Sequence, residues 1–193
     1  MNKVFLDANI LYANTTRSLF VWLHTNEVIA AYWSYDVWEE AFEAFRRHHP
    51  DRHEQIRKSL TERLIGAYPE CLVQTPKSQP LGLKDPKDEH VLASASVCCA
   101  DYVLTNDEIL INDPQAVGSW SLMTADQFLV TVAVAHSPLS VVQSVHDHIT
   151  QLPQSRPTID RYVASLRKSQ LVEFADWIEA RRKLGKLFDD VWS

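Results

Sequence analysis

The stretch "LKDPKDEHVLASASVCCADYVLTND" (residues 83–107) passes from a helix to a strand and ends on an acid, and that succession decides the fold. Asp85 can cap a helix, Pro86 suits the first helical position, and Val91, Leu92, Ala95 and Cys98 make an apolar stripe at helical spacing. "DYVLT" (101–105) then reads as a strand, with Asp107 just beyond it. "VFLDANILYA" (4–13) has the same ending: residues 3 to 6 read as a buried strand closed by Asp7, with Asn9 two places on. Twice, a segment built for burial is followed by a carboxylate.

Working outward, a helix is expected from about Thr15 to His24, where Leu19, Phe20 and Leu23 recur at helical spacing, and a second strand from Val28 to Trp33. Ser34 is an N-cap for a helix that places Val37, Trp38, Ala41, Ala44 and Phe45 on one face until Pro50 stops it. Another helix covers Arg52 to Ile65, and "CLVQT" (71–75) is a short strand candidate. A further strand runs through Trp120 to Met123, and Thr124 with Gln127 forms a capping box for "ADQFLVTVAVA" (125–135). Strands alternating with helices imply an α/β fold with a parallel sheet sandwiched by helices.

Ser137 and Pro138 repeat the cap-then-proline signal and open a tail without strand signals. Its helices are expected at Leu139 to about Leu152, from Thr158 after a break at "PQSRP", and from about Leu171 to Leu187. Two parts follow from this change of pattern near His136: residues 1–135, α/β, and residues 136–193, a small all-helical C-terminal extension.

In parallel sheets ligands sit beyond the carboxyl ends of the strands. Two strands deliver Asp7 and Asp107 to that edge. A crossover helix runs antiparallel to its strands, so its first turn lies at the same edge and brings Asp88 there. Glu40 begins near it too, a turn and a half into its helix. Four carboxylates at one edge repel one another unless a cation sits among them, and Mg²⁺ or Mn²⁺ takes oxygen ligands while keeping waters that can attack a phosphate. Each acid also has a plainer reading: a strand-end turn for Asp7, a helix-dipole partner for Asp88 or Glu89, a cap for a helix near Glu108 in the case of Asp107, a solvated helix face for Glu40.

With 193 residues, 46% of them hydrophobic, the chain can bury one full core and carry a small second unit. Only 4 glycines argue against glycine-rich phosphate loops and against a nucleophile elbow. Cys71, Cys98 and Cys99 have neither a disulfide framework nor zinc spacing, and reduced, mostly buried thiols are expected. The longest apolar run, Phe128 to Ala135, is too short to span a membrane and the first segment is unlike a signal peptide, so a cytoplasmic protein without a membrane partner is expected. A net charge of −6 exerts no general pull on nucleic acid, although Arg46-Arg47 and Arg181-Arg182-Lys183 are local basic runs. Neither His48, His49 and His53 nor His146 and His148 have metal spacing.

Four pieces, "VFLDANILYA", "WSYDVWEEAFEAF", "DPKDEHVLASASVCCADYVLTND" and "MTADQFL", resemble the PIN domain in order and spacing over residues 3 to 130, and within it the VapC-like ribonuclease toxins with a helical C-terminal extension. The resemblance implies a Mg²⁺ or Mn²⁺ site, hydrolysis of RNA phosphodiesters, a cognate antitoxin and a tendency to dimerise. It places the family's acids on Asp7, Glu40, Asp88 and Asp107, with Glu39 and Glu89 as one-residue alternatives, Asn9 and Asn106 as water-holding or supporting groups, and His90 either orienting a carboxylate or serving structurally. Related sequences often carry Asn where this chain has Asp107. The expected function is a metal-dependent endoribonuclease, the toxin of a toxin–antitoxin pair; an inactive module that binds RNA or protein is the alternative. An aspartyl-phosphate mechanism needs an acid two residues after Asp7, where Asn9 stands. Arg161, Arg167 and Lys168 are candidates for RNA contact in the tail, beside a plain structural role.

Overall fold

Val4, Phe5 and Leu6 are buried in succession, with no alternation between an inner and an outer face. Such a run suits a strand covered on both sides, the usual condition of a parallel sheet. The computed structural model describes residues 1–77, 80–135, 138–151 and 157–183. In chain order its elements begin β1 (Asn2–Leu6), α1 (Ala8–Tyr12), α2 (Asn14–Thr25), β2 (Ile29–Ser34), α3 (Tyr35–His48), α4 (His53–Leu64) and β3 (Leu72–Val73). They continue with α5 (Glu89–Val97), β4 (Tyr102–Leu104), α6 (Glu108–Ile111), β5 (Ser121–Met123), α7 (Ala125–Ala135), α8 (Pro138–Thr150), α9 (Ile159–Lys168) and α10 (Val172–Lys183). The fold class is the expected one: a five-stranded all-parallel sheet flanked by helices, with further helices following it.

The strand order is β3-β2-β1-β4-β5. Val4 pairs with Tyr102 and Leu6 with Leu104, Tyr102 with Ser121 and Leu104 with Met123, and Trp33 with Leu72. From β1 the chain steps outward to β2 and β3, then returns to β4 on the other side of β1. The order therefore reverses between β1 and β4, and in parallel sheets ligands sit beyond the carboxyl ends of the strands at such a switch point. Asp7 and Asp107 follow those two ends.

Local signals position the helices around this edge. The Ser34 side chain accepts from the Val37 amide at 3.2 Å and starts α3, which buries Val37, Trp38, Ala41 and Phe42. Asp85 accepts from the Lys87 amide at 2.9 Å, and the turn it caps, Pro86–Asp88, is 3₁₀ before α5 begins. α1 was not expected. It starts because the Asp7 carbonyl accepts from the amides of Ile10 and Leu11, so the chain leaves β1 directly into a helical turn. All three cysteines are free, Cys71 and Cys98 buried as expected of most of them, and Cys99 exposed in a left-handed turn (φ 51°) after α5.

The chain forms two compact units. One comprises Asn2–Tyr12 and Ala30–Met123; the other comprises Ala13–Ile29 and the residues from Thr124 onward, with Met1. This division differs from a single cut at 135/136, because α2 and α7 group with the C-terminal helices. Within that helical unit, Phe20 and Phe128 stack with centroids 6.0 Å apart, and Asn26 donates to Ser144 Oγ and Asp147 Oδ2. Buried His148 and Tyr162 share a 2.8 Å hydrogen bond between α8 and α9. The capping box at α7 forms with both bonds, Thr124 N to Gln127 Oε1 and Gln127 N to Thr124 Oγ1. His136, the Ser137 cap, the break at residues 153–156 and the helix end at Leu187 lie outside the described residues. Among the described residues no helix is long and apolar enough to cross a membrane.

Asp126, the second residue of α7, accepts from the amides of Glu173 and Phe174 at 2.9 Å each, so it caps α10 from 47 positions away in the chain. Asp126→Ala leaves both amides at the start of α10 without that acceptor. The expected outcome in urea denaturation is a loss of about 1 kcal/mol with an unchanged m-value; stability equal to wild type would show that the cap carries no weight.

Candidate active site

Thr105 is fully buried one residue past β4, and its hydroxyl is the hub of the strand ends. Oγ1 donates to Asp7 Oδ2 at 2.6 Å and accepts from Asn9 Nδ2 at 2.9 Å and the Asp107 amide at 3.0 Å. One hydrogen and two lone pairs are thereby all used. Asn9 closes a second link, because Nδ2 also donates to Asp7 Oδ2 at 2.6 Å while Oδ1 accepts from the Asn106 amide at 3.0 Å.

Asp7 is only 6% exposed and takes a third bond at Oδ1, from the Ala8 amide at 2.6 Å. A carboxylate offers about four acceptor sites, so one remains, on Oδ1. Burial pushes its pKa above the ordinary carboxylate value, against the Thr105 and Ala8 hydrogen bonds that favour the charge. A cation at the remaining site would relieve that cost.

The other acids surround it unequally. Asp88, half-buried in the 3₁₀ turn before α5, has its pKa pushed up to about 6, first by burial and then by the charges of Asp7, Asp107, Asp85 and Glu40. Glu40 is half-exposed; burial, then the charge of Asp7, raises its pKa, and His90 opposes the rise. Asp107 Oδ1 accepts from the amides of Ile109 at 2.7 Å and Leu110 at 3.3 Å, so this acid caps α6, the plainer of its two readings, while still acting electrostatically on Asp7 and Asp88.

The one-residue ambiguities separate by partner. Glu39 turns to Arg57 at 2.6 Å, and Glu89 accepts from the amides of Leu81 and Gly82 at 3.0 and 3.1 Å. Glu40 and Asp88 are the members that feel Asp7. His90 stands beside them: Nδ1 is 2.5 Å from the Lys87 carbonyl oxygen, and Nε2 is 3.5 Å from Glu40 Oε2, buried and without a hydrogen-bond partner.

Asp7, Glu40, Asp88 and Asp107 supply an oxygen-rich donor set of the kind Mg²⁺ or Mn²⁺ takes, and a bound cation offsets both the burial and the neighbouring charges that lift Asp88. The bowl is loose. No three of the four acids bring ligand oxygens within 4.8 Å of one another, so an ion held by three of them requires the exposed side chain of Glu40 or Asp88 to turn inward.

Sequence reasoning missed Thr105 as the hub; the only signal was a hydroxyl residue immediately preceding Asn106 and Asp107 at a strand end. Among the basic candidates, Arg46 is engaged by Glu43 at 2.8 Å, Arg167 by Asp176 and Glu179, and Arg182 by Asp160.

No protein-family model, curated protein or solved structure matches this chain.

Two outcomes follow from the hub and from Asp88. Thr105→Val removes a donor and an acceptor beneath a buried carboxylate and should lower stability by about 1–3 kcal/mol, read from chemical denaturation. Because the Asp88 pKa is raised, the folded chain keeps a proton between about pH 4 and pH 6 that the unfolded chain has released, so this group's contribution to stability falls as pH rises through that window. Carboxyl NMR titration without divalent ions should place Asp88 near 6 and lower in Asp7→Asn, with the stability of Asp88→Asn relative to wild type rising from pH 4 to 7. An Asp88 titration near the ordinary carboxylate value contradicts the described cluster.

Proposed function

We propose that this chain is a divalent-metal-dependent endoribonuclease of the PIN type, the toxin of a toxin–antitoxin pair. The observation that carries the proposal is Asp7: a buried carboxylate at the switch point of a parallel sheet, oriented by Thr105 and Asn9, with one acceptor site remaining and three further acids coupled to it.

Asp7, Glu40, Asp88 and Asp107 are the oxygen donors assigned to Mg²⁺ or Mn²⁺. When bound, such an ion supplies Lewis acidity toward a phosphate oxygen and lowers the pKa of water. The protein's share is orientation and proton handling. Thr105 and Asn9 both donate to Asp7 Oδ2 and the Ala8 amide to Oδ1, so the carboxylate is oriented before any reaction. Asp88, half-buried beside Asp7, has its pKa pushed up to about 6 when no ion is present, first by burial and then by the surrounding acids, so binding of the ion there competes with a proton. His90 lies against Glu40 and restricts where that carboxylate can turn.

RNA is the substrate class implied by the resemblance of residues 3 to 130, and a cognate antitoxin and a homodimer are its implied partners. With Arg46, Arg167 and Arg182 engaged by acids of their own, grip on the RNA rests on the metal and on the groups around it rather than on those arginines.

Purified protein incubated with mixed RNA should cleave it with Mg²⁺ or Mn²⁺ and stop on chelation. Asp7→Asn and Asp88→Asn should each lose about 100-fold or more, since a metal ligand contributes several kcal/mol to such a transition state. Equal residual cleavage in wild type and both variants assigns the activity to a contaminant, and RNA binding without cleavage under any divalent ion replaces the enzyme with a binding module.

A further inference from the structure

Asp113 is a buried carboxylate, 6% exposed, that stands outside the four acids of the site. Its Oδ2 accepts from the Lys84 amide at 2.5 Å and its Oδ1 from the Gln115 amide at 2.9 Å. The bond to Gln115 is local and closes a turn. The bond to Lys84 reaches 29 positions back along the chain, to the segment that enters the Pro86–Asp88 turn. Lys84 adds a second link, since its Nζ donates to the Asn112 carbonyl at 3.2 Å. Leu83, next to Lys84, and Leu110, whose carbonyl accepts from the Asp113 amide at 3.2 Å, are both buried, so the clasp is anchored on each side.

Each clasped segment is a short hydrogen-bonded turn with an acid of the site at its far end. From Lys84 the chain enters Asp85, whose side chain accepts from the Lys87 amide and whose carbonyl accepts from the Asp88 amide at 3.2 Å. From Asp113 it leads back through α6 to Asp107, whose side chain accepts from the Ile109 amide and whose carbonyl accepts from the Ile111 amide at 3.0 Å. Asp107 is already tied to β4 through Thr105. Asp88 has no strand beside it in the chain, because β3 ends at Val73, well before Pro86. The clasp ties its turn directly to the loop that follows β4. The two far ends act on each other, since the charge of Asp107 is among those that raise the Asp88 pKa.

We infer that Asp113 is a positioning residue of the metal centre: by clasping Lys84 it holds Asp88 in place relative to Asp107, and affinity for the ion depends on the clasp being closed. The inference rests on the metal-centre reading above and deepens it by naming what fixes one of its two half-exposed ligands. A buried acid that only stapled two loops would support the fold equally with or without an ion. A clasp that places a ligand is coupled to the ion. Groups that orient a metal ligand from behind carry about 10- to 100-fold of affinity, and reciprocity requires the bound ion to favour the closed clasp by the same factor.

The test measures Mn²⁺ binding to the full chain, read as loss of the free-ion EPR signal, in wild type, Asp113→Ala, Asp88→Ala and the double variant. Asp113→Ala should weaken Mn²⁺ about 10-fold, but by less than about twofold once Asp88 is gone, because the ligand that the clasp positions is then absent. A purely structural loss would instead multiply in the double variant. Hydrogen exchange in the wild-type chain gives a second readout that needs no variant to fold. Saturating Mg²⁺ should slow exchange of the Lys84 amide about 10-fold and that of the Gln127 amide in α7 by less than about twofold. Unchanged exchange at Lys84 with Mg²⁺ bound, equal slowing at both amides, multiplying losses, or undiminished Mn²⁺ affinity in Asp113→Ala overturns the inference, and the metal centre then stands on the binding itself. A wild-type chain that binds neither ion removes both. Clasp-dependent binding without RNA cleavage removes the nuclease and keeps the positioning role.

Discussion

A single hydroxyl ties the ends of β1 and β4. Thr105 Oγ1 donates to Asp7 and accepts from Asn9 and the Asp107 amide, so two stretches of chain almost a hundred residues apart share one buried atom. Parallel pairing of Leu6 with Leu104 sets the two strand ends level, and the hydroxyl spans the gap that opens when their chains diverge. Without it, Asp7 would be a buried carboxylate lacking one of its three donors, and such a group costs free energy in proportion to what it fails to pair. The local geometry of these strand ends follows from that one set of bonds.

Around this fixed centre the other acids are held less firmly. Asp7 sits in the interior on three hydrogen bonds; Glu40 and Asp88 are partly exposed and answer to its charge. Burial first, and the like charges beside them second, raise their affinity for protons, and a group held against such repulsion is also disposed to bind a cation. The neighbouring acids have different tasks. Glu39 pairs with Arg57, Glu89 holds the amides of Leu81 and Gly82, and Asp85 and Asp107 start helical turns. An acidic composition therefore resolves into a few charges that are left facing one another and many that are individually engaged.

The helical unit shows the same economy in its polar groups. Asp126 closes the start of α10, Asn26 joins α2 to α8, and Arg167 lies between two acids of α10. Polar side chains that a linear reading counts as solvated faces are spent on helix ends and interhelical bonds, which is why Arg167 and Arg182 do not stand as free phosphate contacts. His148 and Tyr162 extend this into the interior, where each satisfies the other in a setting that water does not reach.

The sequence by itself determined the alternation of strand and helix, the caps at Ser34, Asp85 and Thr124, and the acids that end β1 and follow β4, because each of these depends on local periodicity or on bonds between residues a few positions apart. It did not reveal α1, the hub at Thr105, the choice of Glu40 over Glu39 and of Asp88 over Glu89, or the grouping of α2 and α7 with the C-terminal helices. Those were decided by tertiary structure. Adjacent acids have the same composition and nearly the same helical position, and only a partner from elsewhere in the chain, Arg57 for Glu39 and the Leu81 and Gly82 amides for Glu89, determines which carboxylate is withdrawn and which remains beside Asp7.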